Sequence, residues 1–436
     1  MSKSLKNTFK IFTYSCIFYL CACGSQDVIT FVEDTSPIRE THKLIASDGQ
    51  VDDFFGYAVA TENDHLLIGA PVKKINDKET GAVYIFKREG ENWLELSQLK
   101  PEYEYPQLFG YSIAVSGNLA IVGSPLDTNV DTNGNETSGK GAAYIFERRD
   151  DEWIQLQRLT PKEWYDGDQF GIAVAVAGNR VVVSSHENFN PNTDGSTYEG
   201  GSTFIFEYKD GQWLETEKLT LSTPELAEAF GSSVAVSEDH VIVGSGPALY
   251  TSNYDVYSSG SVYTYSKEGQ TLMRNKLLPE DDQFSFGTAV ALSENYLAVS
   301  GGTSALTDRS GGVSIFKHQD GTWVESARAK ASDGAGGSLL SIDLQDDYLI
   351  LGSITDTGSH CRLETDPCIR DSGAAYFYKR SGESWNEIAK FRASDAFENQ
   401  NLGYASSLGD DFVAIGAPGN NNGNTPGAVY LFSKNP

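Results

Sequence analysis

Short apolar runs, alternating or unbroken and each closed by Gly, Asn or Asp, recur from residue 38 to residue 436 and predict strands throughout. They come in sets of four. Strand A is small and alternating, as in Tyr57-Ala58-Val59-Ala60, and strand B is an unbroken run such as Leu66-Leu67-Ile68 or Val181-Val182-Val183. An unbroken run is expected of a strand buried on both faces. Strand C opens after a glycine, in Gly81–Phe86, Gly141–Phe146 and Gly427–Phe432. Strand D holds Trp93, Trp153, Trp213, Trp323 or Trp385, followed six residues later by Leu99, Leu159, Leu219, Ala329 or Phe391. An even offset predicts that both side chains share one face; in the fourth set Leu272 and Leu278 fill the two positions. Glu89-Gly90, Asp210-Gly211 and Asp320-Gly321 supply hairpin turns between C and D.

The sets repeat. Phe55-Gly56, Phe109-Gly110, Phe170-Gly171, Phe230-Gly231 and Phe286-Gly287 open five of them, with Ser338-Leu339 and Leu402-Gly403 in the same place in the last two. Thirteen residues beyond each second position lie Gly69, Gly123, Ser184, Gly244, Ser300, Gly352 and Gly416. Four-stranded units of this length predict an all-β fold, a seven-bladed β-propeller of antiparallel blades. The last unit lacks a strand D, and His42–Asp48 is an orphan strand D that aligns with Lys390–Asp395. In this register Leu44 stands for Phe391 and Ile38 for Trp385, so residues 38–48 are expected to complete the last blade and close the ring without a bare edge.

The Phe-Gly openings and the Gly69-Ala70-Pro71 and Gly416-Ala417-Pro418 closings resemble the FG-GAP repeat, a family that includes the integrin α-subunit propeller and many bacterial exported proteins. The resemblance covers residues 38–436. It implies a binding propeller, with no general catalytic activity. Integrin-type repeats hold calcium in an Asp-rich loop between A and B; here that stretch is a short turn such as Glu62-Asn63-Asp64, so those sites do not carry over.

The first residues differ from the rest. Lys3, Lys6 and Lys10 precede an apolar run from Ile11 to Leu20, and Leu20-Cys21-Ala22-Cys23 follows. Residues 1–22 read as a secretory signal. The ending resembles a bacterial lipobox, with Cys23 the lipidated first residue of the mature chain and residues 23–37 a tether. Gly24 after that cysteine leans toward the outer membrane in a Gram-negative cell, by resemblance to known lipoproteins. The expected location is therefore the cell envelope. Of five cysteines this leaves Cys361 and Cys368, an even pair in an exported chain and an expected disulfide. The formal net charge of −27 disfavours nucleic acid and anionic lipid as partners. Membrane attachment would come through the lipid.

Candidate chemistry lies in the long B–C loops (127–140, 187–200, 247–259, 355–372 and 420–426) and in D–A loops such as 103–108 and 163–169. Variable loops on a rigid scaffold are where binding usually resides. Asp127, Asn129, Asp131 and Asn133, alternating before Gly134, could offer oxygens to calcium, although a bidentate acid at the far end is missing. Asp48, Asp52, Asp53, Asp166, Asp168, Asp281, Asp282 and Asp395 form a second acidic set in the D–A loops. Trp164, Tyr165, Tyr198, Tyr254 and Tyr257 are ligand-face candidates for a sugar or a peptide. No Gly-x-Ser-x-Gly, His-Glu-x-x-His or phosphate-loop motif occurs. The expected function is a non-catalytic binding or adhesion module that engages an envelope or extracellular protein or polysaccharide. The alternatives are a polysaccharide-active enzyme using carboxylates near the axis and an envelope assembly scaffold.

Overall fold

The computed structural model describes residues 38–76, 78–101, 107–130, 136–137, 139–163, 167–185, 200–221, 228–247, 260–268, 271–279, 285–302, 311–333, 339–354, 371–419 and 425–435. Among these there is no helix; the strands form seven four-stranded antiparallel sheets and two short ladders in B–C loops. Blade 1 runs outward from the axis as Val59–Glu62, His65–Ala70, Ala82–Glu89 and Asn92–Leu99. Blade 2 is Ser112–Ser116, Leu119–Ser124, Ala142–Arg149 and Glu152–Leu159. Blade 3 is Val174–Ala177, Arg180–Ser185, Ser202–Lys209 and Gln212–Leu219. Blade 4 is Glu228–Val236, His240–Pro247, Ser261–Glu268 and Thr271–Leu277. Blade 5 is Val290–Ser293, Tyr296–Gly302, Gly311–Gln319 and Thr322–Lys330. Blade 6 is Leu339–Gln345, Tyr348–Ser353, Ala374–Ser381 and Ser384–Phe391. Blade 7 is Ala405–Leu408, Phe412–Ala417 and Ala428–Ser433, and His42–Leu44 is its outer strand.

Closure follows the register read from the sequence. His42, Lys43 and Leu44 pair with Leu431, Tyr430 and Val429, so Leu44 faces Val429 as Phe391 faces Ala375 one blade earlier. Ile38 departs from expectation in its backbone alone. It packs in the core between blades 6 and 7, yet it bridges Phe391 of blade 6 and does not extend the ladder of blade 7.

The strand D spacing needs a larger correction. The C–D ladders of blades 1, 2, 3, 5 and 6 each contain a one-residue bulge, beside Ile85/Phe86 in blade 1 for example. A bulge sets two residues against one and shifts the alternation. The six-residue offset therefore puts the two side chains on opposite faces: Trp153 packs toward blade 1 and Leu159 toward blade 3. The ladder of blade 4 has no bulge, so the offset there is five. Leu277 faces Val262 in the place Leu99 takes against Val83, and Leu278 is 57% exposed.

The Phe-Gly pair is a joint between blades. Tyr57 N–H bonds to the Phe54 carbonyl across it, and Gly56 has φ +94° in the third position of that turn, as a type II turn requires. Phe55 is fully buried edge-on to Tyr84 and bridges Gly427, the glycine that opens strand C of blade 7. The same bridge links Phe109 to Gly81, Phe170 to Gly141, Phe286 to Gly260 and Leu402 to Gly373. The second marker serves the same joint from the other side. A Cβ on Gly69 would lie 2.1 Å from the Gly110 carbonyl oxygen, and one on Gly416 2.0 Å from that of Gly56. These glycines are what allow neighbouring inner strands to come so close.

Candidate functional site

Small residues in strand A leave a channel along the axis, a cavity of about 390 Å³ lined by strand A of all seven blades. Its described wall is mostly Val, Ala, Ile and Leu, with Thr61, Asp343, Gln345, Ser406 and Ser407 as the polar exceptions. Asp343 is the single carboxylate among the described lining residues, and burial pushes its carboxyl up against the opposing hydrogen bonds. It accepts the N–H of Leu408 at 2.7 Å, which ties blade 6 to blade 7, and that of its own neighbour Leu344 at 2.8 Å.

At the D–A end of strand A, the residues that follow the turn converge. Tyr57, Tyr111 and Tyr404 come from blades 1, 2 and 7, each directly after the glycine position of the repeat. The ring of Tyr57 lies 4.9 Å from Tyr111 and 4.6 Å from Tyr404, tilted by 46° and 45°. Burial raises the Tyr57 phenol far above its ordinary value, with the two neighbouring tyrosines adding to it, and burial also raises Tyr404. The hydroxyls of Tyr57 and Tyr404 therefore stay protonated at neutral pH, and the three half-buried rings form an aromatic surface beside the loops. Sequence reading passed over these residues. The signal was available in the first position after the Phe-Gly or Leu-Gly pair, but that three rings touch depends on the ring closing.

Several carboxylates at the D–A end tie neighbouring blades together. Asp48, Asp333 and Asp395 end the outer strands of blades 7, 5 and 6, and each accepts the hydroxyl of a strand C tyrosine in the next blade. The pairs are Tyr84–Asp48 at 2.6 Å, Tyr376–Asp333 at 3.0 Å and Tyr430–Asp395 at 2.7 Å. Lys73, Lys390 and Lys43 respectively complete the ties. Asp53 is buried against Lys73 at 3.1 Å and accepts the Gln50 N–H at 2.7 Å. Asp168 is buried as well, and its carbonyl accepts the Ser185 hydroxyl; Asp52 is exposed, and Asp166, Asp281 and Asp282 lie outside the described residues.

Of the proposed calcium loop, Asp127 is withdrawn into the blade. It is fully buried, takes the Tyr144 hydroxyl, and has Arg158 Nη2 3.3 Å from Oδ1. Burial raises its carboxyl despite Arg158 and Tyr144. Asn129 pairs through its backbone with Thr137, while Asp131 and Asn133 lie outside the described residues. Among the described residues no group of three or more His, Cys, Asp or Glu could hold a metal. Cys23, Cys361, Cys368, Trp164, Tyr165, Tyr198, Tyr254 and Tyr257 also lie outside the described residues.

The tyrosine-bound carboxylates make the acid limb of stability predictable. Burial acts against ionisation of Asp48 and Asp395, but bonds from Tyr84 and Gln98 to the first and from Lys43 and Tyr430 to the second outweigh it, leaving both below the usual range. A lowered folded value gives stability that is present above the unfolded value of about 4 and is lost as pH falls through the folded one. Wild type should melt above a D48N/D395N double variant at pH 6, and the gap should shrink toward pH 3. Thermal melts across that range check it.

Comparison with known proteins agrees with this geometry. A family model described as FG-GAP repeat matches residues 38–86, 106–146, 153–206, 213–265 and 385–432, more than half of the chain. Integrin alpha-7 of Mus musculus is 30% identical over 125 residues, 27% of this chain and 10% of that protein. Integrin alpha-11 of Mus musculus is 27% identical over 190 residues, 36% of this chain and 15% of that protein. The chain thus spans a small part of these relatives. A solved Bacteroides uniformis structure named for a 6-phosphogluconolactonase covers 78% of this chain and 85% of its own at TM-score 0.46 and 11% identity, too slight a likeness to bear on chemistry. Seven blades, five of them opening on a Phe-Gly pair, together with the family match, show that the chain belongs to the FG-GAP repeat family.

Proposed function

We propose that this propeller is a non-catalytic module that binds a partner protein through the face formed by its B–C and D–A loops. The observation that supports it most is the convergence of Tyr57, Tyr111 and Tyr404 beside those loops. Aromatic side chains with a polar tip combine large contact area with low entropy cost and anchor protein interfaces. The family and its integrin relatives point the same way. A polysaccharide is the second ligand class that stacked phenols suit. The enzyme reading calls for two carboxylates facing a common site; the described channel lining offers Asp343, bound by two backbone N–H groups, and favours no such reading.

Display on the cell envelope through lipid on Cys23, and a Cys361–Cys368 disulfide, complete the proposal on the strength of the sequence. Metabolic labelling with palmitate should mark the wild-type chain and spare C23S; equal labelling would refute the anchor.

Panels of envelope proteins and glycans, screened against residues 38–436 with calcium and then with chelator, test the binding. Y57A and Y111A should each weaken the captured ligand at least tenfold while leaving the melting temperature within a few degrees, since hot-spot aromatics commonly contribute about 2 kcal/mol or more. Unchanged affinity in both variants would move the site away from the tyrosines.

A further inference from the structure

Across the C–D ladder the strand D tryptophan pairs with Arg88 in blade 1, Arg148 in blade 2, Tyr208 in blade 3 and Arg380 in blade 6. Blade 5 has His318 in that place, paired with Trp323. Its neighbour across the joint is His240, the first residue of strand B in blade 4. The two imidazoles lie 4.6 Å apart between ring centroids, and Trp323 stands 5.4 Å from His240 and 4.9 Å from His318. At the joint between blades 7 and 1 the same places hold Phe412, Arg88 and Trp93, with Arg88 paired to Asp411. A permanent cation and a hydrocarbon ring there give way, between blades 4 and 5, to two histidines, the side chain whose charge ordinarily changes between about pH 5 and 8.

His240 is 9% exposed, and its Nδ1 is buried without a hydrogen-bond partner. In the neutral ring that atom carries only a lone pair; protonation puts a donor and a charge where nothing accepts them. His65, the sister residue in blade 1, differs, because Asp64 lies 2.6 Å from its Nδ1. Burial and then His318 hold His240 below its ordinary value, against the pull of Asp239 from the adjoining turn. Its ladder partner in strand C, Ser266, brings no charge.

We propose that His240 and His318 form an acid-operated latch between blades 4 and 5, closed while both are neutral and loosened when they take up protons. Because the folded value of His240 is depressed, its contribution is complete above the unfolded value of about 6.5 and is lost as pH falls through the folded one. Two imidazolium ions side by side also repel, and opening brings both into water. The far end of the joint, where Phe286 bridges Gly260, carries no charge and holds. Loosening is therefore local, and it bares Trp323, which packs on the core between these blades.

Hydrogen exchange of the full chain, followed by mass spectrometry at pH 7.5 and 5.5 with times scaled for intrinsic rates, tests the latch. Peptides from His240–Pro247 and Gly311–Gln319 should exchange at least threefold faster at pH 5.5. One imidazole exposed on opening can supply roughly tenfold at one pH unit below its value. Peptides from Ala82–Glu89 and Phe412–Ala417, at the joint between blades 7 and 1, should change less than twofold. Equal protection at both pH values, or a loss shared by the two joints, overturns the proposal. H240F/H318R copies the side chains of the joint between blades 7 and 1 and should bring the acid effect below twofold. If that double variant does not fold, H240F alone must at least halve the effect, and an undiminished acid response in either variant sinks the idea.

Discussion

Alanine at Gly56 is expected to destabilise the propeller by about 3–5 kcal/mol, the sum of backbone strain and a forced steric shift. Two features of the joint set this size. The φ of +94° lies beyond what an L-residue adopts without strain, and the new Cβ would sit 2.5 Å from the Ala428 carbonyl oxygen, a backbone atom that cannot swing aside. Relief would require blades 7 and 1 to separate where the ring closes. Gly90, in the exposed C–D turn of blade 1, is the control. Its φ is also positive, at +64°, but a Cβ there meets nothing within 4 Å, so G90A should cost only about 1 kcal/mol. For a chain of this length G56A should lower the melting temperature by roughly 4–6 °C, and G90A by about 1 °C. Calorimetry of both variants checks this, and equal shifts would show that the joint does not depend on close approach.

Deletion of residues 37–47 should be more severe, leaving the protein unfolded or aggregated. It removes Leu44, buried at 6% exposure in the core between blades 7 and 1, worth about 1.5–3 kcal/mol by itself. The ladder to Val429–Leu431 goes with it, at about 1 kcal/mol for each hydrogen bond. The Lys43–Asp395 ion pair at 2.5 Å and the Glu40–Ser394 bonds that tie this strand to blade 6 are lost too. The inner joint remains, since Phe55 still bridges Gly427. What the deletion exposes is a strand edge with apolar neighbours, a template for pairing between molecules. Sedimentation and thermal melting of the truncated chain decide the matter; a soluble monomer with unchanged melting would mean that the inner joint alone seals the ring.

Much of this architecture was legible in the chain itself, because alternation and fixed marker spacings report burial within one sheet, which is local. The seven units, the order of four strands and the pairing of Leu44 with the last blade all follow from such patterns. Relations between sheets do not. Six residues from Trp153 to Leu159 read as one face until a bulge, invisible to periodicity, turned them to opposite sides. Without that bulge Leu277, not Leu278, takes the position in blade 4. Acids scattered in the loops, Asp48 and Asp395 among them, turned out to be held by tyrosines of a neighbouring blade. Tyr57 and Tyr404 stand at opposite ends of the sequence and meet ring to ring only because a circle of blades brings its first and last members together. Sequence by itself settled what each blade is made of. Curvature and closure, set by the close approach of backbones at the Phe-Gly joints, decided which side chains share a surface.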